Sequence, residues 1–443
     1  MCDRKLLSLL VLCAWMANPT SGQTIIAPTW TCATGDWSIS GCWDVLGGSD
    51  TQPDNGGFFL YDVTLPTGGS PYTVSVASGS IDLRVLIIDP DVTLRLDATN
   101  FAPGLLDNRG VIEHRNDDLF LDDDIINDGL ITFDTASDAE TIEVRTPGLT
   151  ISGSGDLHFP DVPGATTSVH RLIIPDGATT TNGAGHTIRG GPGQIRGGSS
   201  TTTDFVNQGT VRASTPGMTL EFIDLVTGNI MQVINSGELS ATGGGRLEFD
   251  DIAEVINTGV ITCDALSEIF FNSTVTSLEG TLDIDGLLNS NTDLMLHDAS
   301  GSGTGTLSTA GDLTLSGSTT VEFGVVDHNS GALTIENGAS LTFSARWTHS
   351  LTSESAWDLE PGSQVLATGG TAAAPNQFDD FASLEIAGRD EGDVPAGYIS
   401  NFNIPHLVIG PGARVNLFDA VNNGNRGGPG GNTEALYVGT LEF

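Results

Sequence analysis

The chain has 443 residues, 57 of them glycine, with 38% apolar and only 6% aromatic residues. Against 56 Asp and Glu stand 16 Lys and Arg, a formal charge of −40, and Lys5 is the single lysine; nucleic acid is thereby excluded as a partner, because phosphate binding needs clustered cations. No long apolar stripe of 3.6-residue period occurs, which excludes a helical protein and leaves a turn-rich β composition.

In chain order, residues 1–22 read as a secretory signal: Arg4 and Lys5 form a basic start, Leu6 to Ala17 is an apolar run, and Thr20-Ser21-Gly22 supplies small residues for cleavage. Twelve apolar residues are too few to cross ~30 Å of hydrocarbon, and no second stretch of membrane length follows, so the mature chain is expected without a transmembrane segment and to be secreted or on the cell surface. Residues 23–66 form a Trp-rich N-terminal cap. Within it, Cys32 and Cys42 in "TCATGDWSISGCWD" are close, and export places them in an oxidising compartment; a disulfide closing a small hairpin is expected.

Residues 67–370 carry repeats. Five units align on an asparagine: "NRGVI" at 108, "NDGLI" at 127, "NQGTV" at 207, "NSGEL" at 235 and "NTGVI" at 257. Each has Gly two residues on and an aliphatic four residues on, and position six shares the aliphatic's strand face. Cys263 occupies the slot filled by Ala213 and Ala241 and reads as a small buried filler. A second inward pair follows in "LEF", "LEF" and "IFF", beginning at Leu220, Leu247 and Ile269. Such a unit cannot bury its own face and must lie on the next copy, which predicts an all-β, elongated β-solenoid, as a right-handed parallel β-helix. At the corner, Gly is expected for its access to positive φ, and Asn either to bond backbone amides or to join an amide ladder. The stretch from Asn127 to Asn207 is expected to hold about four coils of roughly twenty residues, and residues 70–370 about fourteen, a rod of ~65 Å. From residue 280 the strands persist with corners every ten residues or so. Residues 371–443 read as C-terminal coils stopping mid-strand.

"TGDWSISGCWD" followed by "YDVTLPTGGSPYTVSVASGSIDLRVLIIDPDVTLRL" resembles the start of autotransporter-like and adhesin-like passenger domains of bacterial surface proteins. Trp37 and Trp43 match the cap of that family and Tyr72-Thr73-Val74 its first strand, whereas Asp91 stands where Gly is common. The "N-x-G-x-I" series is similar to exported repeat proteins of planctomycete-type bacteria. The resemblance implies a surface β-helix.

Catalytic patterns are sparse. The eight His have neither H-x-H nor H-E-x-x-H spacing, and no phosphate loop, dinucleotide fingerprint or nucleophile elbow occurs. Arg189 and Arg196, in "IRGGPGQIRGG", are read as decorating a Gly-rich turn. No catalytic residue is assigned. The densest acidic stretch, "RNDDLFLDDDIIND", offers Asp117, Asp118, Asp122 and Asp124 as calcium candidates, although EF-hand spacing is absent. The sequence thus points to an exported structural or adhesive rod presenting an acidic, polar wall to glycans, extracellular matrix or cells. The alternative is a carbohydrate-active enzyme, a polysaccharide lyase or hydrolase, on the same scaffold.

Overall fold

The computed structural model describes residues 23–45, 52–55, 59–97, 100–115, 118–134, 140–161, 170–198, 202–224, 231–369, 381–391, 394–399, 401–419, 421, 423 and 434–443. The signal-like segment 1–22 and Asp117 lie outside them.

The protein is a β-solenoid of about 13 turns whose strands pair in parallel with their equivalents one coil away. At ~4.8 Å per strand spacing, the stack is roughly 60 Å long. Each central coil contributes three strands, one to each of three sheets. The first sheet contains Thr203–Asn207, Met231–Asn235 and Glu254–Asn257; the second contains Thr210–Ala213, Glu238–Ala241 and Val260–Cys263; the third contains Thr219–Ile223, Arg246–Asp250 and Glu268–Asn272.

Alternation of inward apolar and outward polar residues sets the register, since a one-residue slip would turn every strand inside out. Val211 lies beside Leu239 and Leu239 beside Ile261, and the next position on that face runs Ala213, Ala241, Cys263. Cys263 is buried, and burial pushes its thiol up to about 12, in keeping with a packing role. In the third sheet Phe222, Phe249 and Phe271 stack face to face with centroids 5.0 Å apart in both steps. Further on, this column turns polar: Phe271 is followed by Ser290, Thr309, His328 and His349, all buried.

The recurring asparagines sit at the corner between the first and second sheets, each fully buried, and they form a ladder. Asn182 Nδ2 donates to Asn207 Oδ1 at 2.7 Å, Asn207 to Asn235 at 2.6 Å and Asn235 to Asn257 at 2.6 Å. The glycine two residues on is required by coil-to-coil approach rather than by positive φ: a Cβ on Gly237 would lie 2.1 Å from the carbonyl oxygen of Gly209, and one on Gly259 2.1 Å from that of Gly237. Between Asn127 and Asn207 the chain makes three circuits, not four. The strand ending at Asn127 pairs with Thr150–Ser152, then Thr179–Asn182, then Thr203–Asn207. These circuits take 26 (151 − 125), 31 (182 − 151) and 25 (207 − 182) residues rather than twenty.

At the N-terminal end, Trp30, Trp37 and Trp43 pack edge to face, with Trp43 4.9 Å from Trp30 and 4.7 Å from Trp37, and Trp37 covers Phe101 of the coils above. Their indole N–H groups donate to the carbonyls of Ala33, Pro53 and Trp37. The Cys32–Cys42 disulfide ties this cap, spanning the antiparallel pair Thr29–Trp30 and Trp43–Asp44. Parallel pairing then runs from Phe59 to Glu442, including the strands after residue 371.

Candidate functional site on the outer wall

Because inward positions are spent on the core, any chemistry facing solvent must come from outward rows and corners. Two patterns dominate. The first is a carboxylate at a corner that accepts a hydrogen bond from the backbone N–H of the next coil. Asp128 accepts from Ser154 at 2.9 Å, Asp285 from Thr304 at 3.0 Å, Asp293 from Asp312 at 3.0 Å, Asp298 from Ser318 at 2.7 Å and Asp312 from Ala332 at 2.7 Å. Such bonds favour the charged form, so the Asp285 and Asp298 carboxyls are held below their ordinary value. Part of the acidity therefore serves the fold, satisfying corner amides that no strand pairs.

The second pattern is a row on the outer face of the third sheet, where register places Gln194, Glu221, Glu248 and Phe270 in successive coils. Gln194 Nε2 donates to Glu221 Oε2 at 2.6 Å. Arg246 pairs with Glu248 at 3.2 Å and Glu268 at 3.6 Å, and its guanidinium lies 4.4 Å over the Phe270 ring. Asn272 donates to Asp250 at 2.7 Å. Partial burial raises the Glu221 and Glu248 carboxyls above their ordinary value, and Asp250 adds to both. A raised carboxyl keeps its proton to higher pH than an ordinary one, the direction in which a general acid is tuned. Two surface concavities occur among the described residues, one between Trp30 and Tyr72 and the other between Leu266 and Thr306; Glu268 lines the second, whereas Gln194, Glu221, Glu248 and Phe270 line neither.

Of the calcium candidates, Asp118 opens the strand Asp118–Leu121, half-buried and pointing outward. Asp122 follows that strand half-buried, and exposed Asp124 accepts from the Thr150 N–H at 2.7 Å, another corner clamp. Among the described residues, three carboxylates converge elsewhere: Glu385, Asp419 and Glu434 bring oxygens within 4.8 Å of one another, with both glutamates buried. Glu385 accepts from the Val421 N–H at 2.8 Å and Glu434 from the Asn423 N–H at 3.0 Å. Such an oxygen set has the chemistry to hold a divalent cation. Sequence reading missed it because its members lie in three separate segments with no spacing rule between them.

Arg189 and Arg196 do not decorate one turn. Arg189 belongs to Thr187–Gly190 in the second sheet and pairs with Asp156 at 2.7 Å; Arg196 ends Gly193–Arg196 in the third.

No protein family, curated protein or solved structure matches the chain. No helix of the described residues is long and apolar enough to cross a membrane.

Proposed function

We propose that the chain is an exported structural or adhesive rod of the autotransporter- and adhesin-like kind, whose polar wall meets glycans, matrix or another cell through many shallow contacts. The observation that supports this reading most is the wall itself. Outward rows continue in register from coil to coil and are largely polar, and corner carboxylates bond the amides of the next coil, so a polar surface extends along the stack. A repeated open surface suits multivalent contact, where many weak engagements add, better than it suits one buried substrate. The apolar run before Thr20-Ser21-Gly22 is what supports export.

The alternative, a carbohydrate-active enzyme, would draw on Glu221 and Glu248, neighbours in register with raised carboxyls. It would need a cleft to hold a sugar across them, and these residues line neither concavity. The deciding experiment is a glycan array of the purified mature chain, run beside a reducing-end assay on the polysaccharides that score. Retention on densely displayed glycans with no new reducing ends is expected; released fragments would replace the rod with a hydrolase or lyase.

A further inference from the structure

In so acidic a molecule an arginine rarely lacks a carboxylate. Among the described residues Arg84, Arg95, Arg109, Arg115, Arg145, Arg189, Arg212, Arg246, Arg346 and Arg389 each lie within 4.0 Å of one. The exceptions with described side chains are Arg171, Arg196 and the exposed Arg414. Two of these are neighbours. Arg171 and Arg196 point outward from adjacent strands of the third sheet, His170–Ile173 and Gly193–Arg196, where Arg171 lies beside Gln194 and Arg196 beside Ile173. Both are half-buried, and the Nε of each is shielded from solvent without a hydrogen-bond partner.

The carboxylates that register brings to this spot form no ion pair with either arginine and bond other groups, although Glu221 still attracts Arg196 at longer range. Glu221, one coil on, is bonded by Gln194 at 2.6 Å, and Glu143, one coil back, lies 3.9 Å from Arg145. Burial pulls the Arg196 pKa down, repulsion from Arg171 adds to this, and attraction to Glu221 opposes it. Unpaired donors beside a like charge cost stability, an arrangement that a ligand of opposite sign reverses. The planar fork of arginine matches an oxyanion bidentately.

We propose that Arg171 and Arg196 form a recognition site for an oxyanion group, a sulfate ester or a carboxylate, borne by an acidic glycan lying across the third sheet. The glycan as bearer rests on the adhesive reading above; the anion site does not. Although the molecule carries −40, charges beyond ~8 Å are largely screened at physiological salt, so the local pair governs a single anionic group.

The test uses the full mature chain in chloride buffer at fixed ionic strength, with thermal melts and titration calorimetry. The probes are inorganic sulfate, a sulfated oligosaccharide, a uronic-acid oligosaccharide and a neutral counterpart. Sulfate stabilises proteins generally by exclusion, so the readout is the difference between wild type and variants. Wild type should show a saturable rise in Tm that Arg171→Gln and Arg196→Gln lose and Arg414→Gln keeps. Arg196→Lys, which retains charge but not the fork, should bind at least tenfold more weakly. Without added anion both Gln variants should melt no lower than wild type, which separates a ligand site from a structural role. Equal responses in wild type and both Gln variants would overturn the proposal. An acidic oligosaccharide binding at least tenfold tighter than inorganic sulfate would support the glycan; one binding no tighter would leave the anion site standing and remove the glycan as its bearer, with the adhesive reading left to the glycan array.

Discussion

Asn127 should hand its amide proton to an asparagine in the next coil, but that coil passes Ser152 and Gly153 at this level. His186 fills the gap from two coils on. Asn108 donates to Asn127 at 2.8 Å, Asn127 Nδ2 lies 3.0 Å from His186 Nε2, and His186 Nδ1 lies 2.6 Å from Asn182 Oδ1. Since Asn127 presents N–H, His186 Nε2 must accept and Nδ1 must donate, which fixes one neutral tautomer and keeps the ladder running in one direction to the Glu279 carbonyl. Burial agrees, pulling the His186 pKa down to about 4. His186→Ala should cost roughly 1–3 kcal/mol at pH 7 by stranding the Asn127 and Asn182 amides, read from urea melts. The same histidine makes stability depend on pH. Its folded pKa lies below the unfolded value near 6.5, so the unfolded chain takes up the proton first, and stability present above pH 6.5 falls by about 1.4 kcal/mol per unit down to about pH 4. His158 and His349, pulled down to about 4 and about 3 by burial, act in the same sense. The urea midpoint should therefore drop between pH 7 and pH 5, and less in His186→Ala; a flat profile would contradict the neutral bridge.

At the scale of strands and corners, the asparagine corner was legible but its glycine was legible for the wrong reason. A sequence reports that Gly recurs; only the stacked neighbour reveals that a Cβ at Gly237 would strike the Gly209 carbonyl oxygen at 2.1 Å. Gly237→Ala should accordingly cost about 2–4 kcal/mol, at the severe end for one methyl group, because both coils must part. Phe249→Ala should cost about 3–5 kcal/mol by opening a cavity between Phe222 and Phe271. Urea melts check both, and Ala241→Gly, in the same core without such a clash, is the milder comparison. The alternation of Val211, Leu239 and Ile261 was readable because period two is local. His186 was not, since it enters the ladder four residues after Asn182 and outside the repeat. Arg171 was missed too: its unpaired state depends on neighbours from three coils.

For the whole molecule, the sheets explain why so acidic a chain folds. Corner carboxylates spend their charge on amides of the next coil, and arginines take up others along the wall. The coils advance by one strand spacing per circuit along a single axis. Thr73, Thr93, Val111, Leu130, Asp156, Thr187, Thr210, Glu238, Val260 and Thr281 are successive partners in the second sheet. Spin labels on Thr73 and Thr281, nine steps apart, should therefore lie about 43 Å apart, and labels on Thr187 and Thr281, four steps apart, about 19 Å. Pulsed dipolar spectroscopy on these two pairs is the most direct test. Distances growing in proportion to the number of coils are expected, whereas a Thr73–Thr281 distance no longer than the Thr187–Thr281 distance would contradict the stack.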